Sequence, residues 1–135
     1  NETGRALRQA ADWLGLGLDD ILVVVDDYHL PLGAMRARRE GSSGGHRGLE
    51  SIREHFGTDG VPRLRAGIGA ETPRTGKDFV LSPFDAAERE TVRAVVERAS
   101  DAVLVWISEG IERCMNLANA RPQVHDNKEE KEEGV

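Results

Sequence analysis

Residues 21–25, Ile-Leu-Val-Val-Val, form an unbroken apolar run, mostly β-branched, that stops at Asp26 and Asp27. Alternating polarity would mark a strand with one wet face. An unbroken run marks a strand buried on both faces, the kind central to an α/β sheet. The run predicts a layered α/β fold with helices on either side. At five residues it is far too short to cross a bilayer.

The flanking sequence supplies elements for such a fold. Residues 3–16 carry Ala6, Leu7, Ala10, Ala11, Trp13 and Leu14 at helical spacing, with Gly15 and Gly17 as stops. Pro31 and Gly33 mark a turn after the apolar run. Residues 34–40 read as a short Arg-rich strand, 41–45 as a glycine–serine loop and 47–56 as a helix ended by Gly57. Residues 63–69 read as a further strand with Arg63 and Arg65 on one face, because strand side chains alternate. A polar connection over 72–77 and the apolar Phe79, Val80 and Leu81 follow. A helix is expected over 86–99, and another over 101–117 burying Val103, Leu104, Ile107, Ile111 and Met115. From Arg121 the polar chain is expected to be disordered.

At 135 residues there is room for one domain. We expect a single α/β domain over 1–120, a mixed sheet flanked by helices, and an acidic tail over 121–135. Only two strands are at hand to flank residues 21–25, and a bare edge on a central strand invites aggregation. That shortfall, and Asn1 in place of Met, point to a processed chain or to the downstream part of a longer one.

The net charge is -6. Half of it sits in residues 125–135, where Asp126, Glu129, Glu130, Glu132 and Glu133 face two lysines. Residues 33–65 are instead basic, with seven arginines (36, 38, 39, 47, 53, 63 and 65) against four acids, and Arg74 and Lys77 follow. Arginine suits bidentate phosphate contact. On composition alone a solvated basic face is the simpler reading. A phosphate surface requires these arginines on one side of the fold.

Gly41 to Gly48 opens a helix, where backbone N–H groups favour anions. It has neither the ending of a P-loop nor the spacing of a dinucleotide fingerprint, so a tight connection explains it as well. Asp26 and Asp27 lie where open α/β sheets place their sites. A carboxylate there can orient a histidine, ligate a metal or cap a turn. The four histidines are His29, His46, His55 and His125. None has a partner at metal-ligand spacing and Cys114 stands alone, so neither a zinc site nor an internal disulfide is expected. The lone cysteine reads as intracellular.

Three segments carry a resemblance: Val25-Asp-Asp-Tyr-His-Leu-Pro-Leu-Gly33, Gly41-Ser-Ser-Gly-Gly-His-Arg-Gly-Leu-Glu-Ser-Ile52 and Arg63-Leu-Arg-Ala-Gly-Ile-Gly69. In order and spacing they resemble bacterial-type peptidyl-tRNA hydrolases. Asn1-Glu-Thr-Gly-Arg-Ala, Phe79-Val-Leu-Ser-Pro-Phe84 and Cys114-Met-Asn116 are similar to further landmarks of that family. The resemblance implies a single mixed α/β domain, incomplete at its N-terminus, that hydrolyses the ester joining a peptide to tRNA. It implies a cytoplasmic monomer with peptidyl-tRNA as partner, and no cofactor, metal or membrane. The family's base is the histidine of a Thr-Arg-His-Asn motif, which this sequence does not contain, so the resemblance implies a base outside this chain and little activity without it.

By the same resemblance Asp26 matches the acid that orients the base, and Asn1 the asparagine that holds the peptide part. Arg38 and Arg65 match basic positions that clamp a tRNA phosphate. Arg47 stands where the family usually has a substrate-contacting asparagine, and Glu50 where it favours a basic residue. The alternative is a non-catalytic, hydrolase-like RNA-binding protein, with which Arg47 is compatible. A more distant one is an anion- or nucleotide-binding α/β protein that uses the glycine loop.

Overall fold

A computed structural model of the chain describes residues 1–69 and 85–120. The expectations for 72–77, for Phe79 to Leu81 and for the tail lie outside the described residues, as do Arg74, Lys77 and His125. The helix α1 (Thr3–Leu14) stops at Gly15, whose φ of 68° suits a residue without a side chain. Its buried Gly4 sets how closely it packs: a Cβ there would fall 2.1 Å from the Ser51 carbonyl oxygen. The Gly4 N–H donates instead to Ser51 Oγ at 3.0 Å. That hydrogen bond seats α1 on α2 (Arg47–Phe56), which ends at Gly57 as the sequence predicts. A short 3-10 turn, Leu18–Asp20, leads from α1 into the sheet.

The sheet is mixed, as predicted, with the order β1-β3-β2. Strands β1 (Val23–Pro31) and β3 (Arg63–Gly69) run parallel, and β2 (Met35–Arg38) runs antiparallel to β3. Among the described residues the strand predicted as central is paired on one edge only. Val23 to Val25 open an edge strand of the described sheet, and β3 is the middle one. Val24 is 51% exposed, so the run is not buried on both faces. The reason lies in what covers it: the helices on the Val24 face pack over β2 and β3. Apolar composition pointed to β1, whereas β3 hides its arginines by giving them backbone partners. Asp26 and Asp27 also lie within β1, not at its end, because the strand runs on to Pro31.

Helix α3 (Ala86–Glu109) begins with a capping box, the Asp85 carboxylate accepting the Glu88 N–H at 2.8 Å. It runs through Ser100 and Asp101 without a break. The interruption expected there falls at Gly110, after which α4 (Ile111–Asn119) follows. The longer helix keeps one phase, which turns Val95, Ala99, Ala102, Val103 and Trp106 to the core. Leu104 and Ile107, expected inside, are 62% and 67% exposed.

Helices thus cover both faces, a three-layer arrangement. On one face α1 and α2 enclose Leu49, Ile52 and Val61 with Val23 and Val25. On the other, α3 and α4 enclose Met35, Ala37, Leu64, Cys114 and Ala118. Burial pushes the Cys114 thiol above its usual pKa. Asn119 ties α4 to β2: its Oδ1 accepts the Ala37 N–H at 2.7 Å and its Nδ2 donates to the Ala37 carbonyl at 3.0 Å.

Candidate functional site

Alternation along β2 sends Met35 and Ala37 into the core and Arg36 and Arg38 to the opposite face. Along β3 it does the same with Leu64 inward and Arg63 and Arg65 outward. In the antiparallel register Arg36 stands across from Arg65, and Arg38 across from Arg63. Residues directly opposed share a face, so four guanidinium-bearing side chains rise from one patch of sheet. They line a cavity of about 400 Å³ with Asp27, His29, Leu30, Gly41, Ser42 and Gly44. Like charges directly opposed destabilise a sheet, where favourable pairs contribute roughly 0.2–1 kcal/mol. Two such rungs side by side concentrate positive charge on this patch.

The four arginines are held differently. Arg63 is 3% exposed. Its Nε donates to the Val61 carbonyl at 2.9 Å, its Nη1 to those of Gly41 and Ser42 at 2.8 and 3.1 Å, and its Nη2 to that of Asp59 at 2.8 Å. Burial pulls its pKa below the usual arginine value; nearby Arg65 and Arg38 add to this and Asp59 opposes it. Arg65 is pinned at two points, Nη1 to Asp27 Oδ2 at 3.3 Å and Nη2 to the Ser42 carbonyl at 2.9 Å. Arg36 and Arg38 have no side-chain partner among the described residues.

The glycine loop roofs this cluster. Gly44 has φ 57° and lies against Arg65, where a Cβ would stand 2.8 Å from Nη1. The left-handed backbone favours glycine there. The loop ends at His46, whose Nδ1 accepts the Leu49 N–H at 3.2 Å and so caps α2. His46 therefore bonds the backbone of the helix it opens. His29 is exposed at the cavity, its ring centroid 4.2 Å from that of Tyr28. His55 is exposed, with Nδ1 2.9 Å from the Ser51 carbonyl.

The site residues named from sequence fall into three places. Arg38 and Arg65 come together in the cavity. Asn1 and Arg47 gather where α1 and α2 begin: Ser51 Oγ donates to the Asn1 carbonyl at 2.8 Å, and Arg47 lies one turn before Ser51. The Asn1 side chain accepts the Thr3 N–H at 2.8 Å through Oδ1. Asp26 joins neither group. It is exposed, outside the cavity lining, on the face of β1 opposite Asp27.

Sequence reasoning gave Arg36, Arg63 and His29 no role in the site, and named Asp27 only beside Asp26 as a carboxylate where such sheets place their sites. The two-residue spacing of Arg36 with Arg38, and of Arg63 with Arg65, is the signal that finds the first two. Among the described residues no group of three or more His, Cys, Asp and Glu is placed to hold a metal ion. Among them, too, no helix is long and apolar enough to cross a membrane.

Fold and cavity together define a class: an α/β domain of mixed sheet with an arginine-rich cavity under a glycine loop. The chain belongs to the peptidyl-tRNA hydrolase family, whose model matches residues 1–129. It is 44% identical over 125 residues to a peptidyl-tRNA hydrolase of Synechococcus sp. (strain CC9605), covering 88% of this chain and 61% of that protein. It is 42% identical over 119 residues to the one of Carboxydothermus hydrogenoformans, covering 88% of this chain and 64% of that protein. The chain thus spans somewhat under two thirds of these relatives' length. The crystal structure of peptidyl-tRNA hydrolase from Acinetobacter baumannii superposes with a TM-score of 0.75 at 25% identity, covering 88% of this chain and 61% of that one.

Proposed function

We propose that this chain is the tRNA-gripping part of an enzyme that hydrolyses the ester between peptide and tRNA in the cytoplasm, releasing both. The observation that carries the reading is the four-arginine cavity in a chain of this family. Arg38 and Arg65, with Arg36 and the buried Arg63 behind them, grip phosphate. Asn1 and Arg47, at the shared start of α1 and α2, face the peptide-bearing end of the substrate.

Ester hydrolysis by water needs a base that removes a proton as the water attacks, and histidine suits neutral pH. We assign Asp26 to orient that histidine and to steady its charged form. In support, Asp26 is an exposed carboxylate with no hydrogen-bond partner among the described residues, on a strand with one edge unpaired among them. The family's histidine motif is absent from these residues, so none of them is assigned as the base.

Two measurements test the proposal. Replacing Arg38 and Arg65 together by Ala should weaken tRNA binding and make its salt dependence shallower by roughly 0.7–0.9 in log–log slope for each phosphate no longer neutralised. An unaltered slope places the grip elsewhere. Hydrolysis of peptidyl-tRNA by this chain alone should be negligible. A rate equal to that of the relatives would move the base to His29 or His46.

A further inference from the structure

We infer that Asp27 is a positioning residue of the anion pocket: it holds the Arg65 guanidinium in the orientation that an incoming phosphate meets. The inference rests on the pocket being the phosphate grip. Among the described residues Asp27 is the one carboxylate lining the cavity, and it is 7% exposed. Both of its oxygens are engaged. Oδ1 accepts the His29 backbone N–H at 2.9 Å, which fixes the carboxylate to its own strand. Oδ2 accepts from Arg65 Nη1 at 3.3 Å.

The Ser42 carbonyl holds the other arm of Arg65 at 2.9 Å, and Gly44 closes over it. A guanidinium carries five N–H donors. Two are spent on these hydrogen bonds, and three remain for a ligand. A long side chain loses conformational freedom when it is fixed on binding. Arg65 is already held, whereas Arg36 and Arg38 have no side-chain partner among the described residues.

Asp27 also places a negative charge in a pocket meant for anions, and the two effects oppose each other. The charge is in contact with Arg65, so at the distance of a phosphate in the cavity the pair acts mainly as a dipole. The orienting effect is not attenuated in that way, and it wins. Removing the charge while keeping the shape should therefore weaken phosphate binding. Charge alone would strengthen it.

The test is a titration of the full chain with inorganic phosphate, followed through the arginine Nε–H signals by NMR. Asp27→Asn should weaken binding about tenfold. Arg65→Ala should weaken it at least as much, and adding Asp27→Asn to Arg65→Ala should change nothing further, since the carboxylate acts through that guanidinium. Binding by Asp27→Asn as tight as the unaltered chain or tighter overturns the inference, as does an equal weakening in the Arg65→Ala background. If Arg65→Ala leaves binding unchanged, the pocket reading itself falls and takes the inference with it. Relaxation of the unaltered chain supplies a check that no folding defect can blur. The Arg65 Nε–H bond should be rigid and those of Arg36 and Arg38 mobile; equal mobility overturns the inference.

Discussion

Arg36 of β2 stands directly across the antiparallel ladder from Arg65 of β3, two cations on one rung. Arg36 has no counter-ion among the described residues, so its charge costs the fold something and returns nothing to it. Arg36→Ala should leave the urea midpoint unchanged or raise stability by a few tenths of a kcal/mol, within the roughly 0.2–1 kcal/mol range of cross-strand pairs. In the same protein tRNA binding should weaken. A substitution that lowers stability and binding together would mean that Arg36 is structural.

Arg63 should behave in the opposite way. Its guanidinium satisfies carbonyls of Gly41, Ser42, Asp59 and Val61, and so fastens the glycine loop and the turn after α2 to β3. Arg63→Met keeps the apolar stem and strands those acceptors. Leaving a buried polar group unsatisfied costs about 1–3 kcal/mol, and solvent can reach part of this set. Chemical denaturation should therefore show a destabilisation of roughly 2–3 kcal/mol. Lysine should rescue little, because a point charge cannot reach carbonyls on two loops at once.

These two arginines also show what was legible in the sequence. Helix α2, strand β3 and the loop between them follow from glycine stops and alternation, signals that are local. Which of the three described strands lies in the middle was not legible. Hydrophobicity ranks residues 21–25 above Arg63 and Arg65, and nothing in the sequence says that a buried arginine will find four carbonyls. The break at Gly110 was hidden for a similar reason: Ser100 and Asp101 look like a helix start, but α3 already had its cap at Asp85. Within the site, adjacency concealed the division of Asp26 from Asp27. Neighbours on a strand face opposite ways, and the sequence does not say which of them meets the arginines.

Arg47 is the first residue of α2 and exposed, a cation at the positive end of a helix dipole. Such a placement is unfavourable by about 0.3–1 kcal/mol at low salt. Arg47→Asn should raise the thermal midpoint slightly, with the gain shrinking as salt rises. If Arg47 meets substrate, the same change should alter KM for peptidyl-tRNA. A change in stability with no change in KM would remove Arg47 from the substrate site.

Glu50, one turn further along α2, gives a pH test. Its hydrogen bond to Arg53, 2.6 Å long, is the main reason its pKa lies below the usual 4.5, with Ser43 contributing less. A carboxylate whose pKa falls on folding stabilises the protein above its unfolded value and loses that effect as pH drops through the folded one. The stability gap between the unaltered chain and Glu50→Gln should therefore be present at pH 7 and close below about pH 4.5. The pair is solvent-facing, so the gap should be small and should narrow in salt. A gap that widens on acidification would contradict the assignment.

The opposite faces of Asp26 and Asp27 make the last expectation the sharpest. If Asp26 orients a histidine base while Asp27 orients Arg65, the same change of acid to amide has two different kinetic signatures one residue apart. Assayed with the polypeptide that supplies the histidine, Asp26→Asn should lower kcat by a factor on the order of 10²–10⁴, the range for losing effective general-base assistance. It should leave tRNA affinity almost untouched, since Asp26 lies outside the cavity. Asp27→Asn should raise KM and spare kcat, because it loosens a grip made equally in the ground and transition states. Steady-state kinetics of the two variants on one substrate separates the roles. If Asp26→Asn turns over at the unaltered rate, Asp26 is a surface acid of an edge strand and the carboxylate that serves the base must be sought on another element.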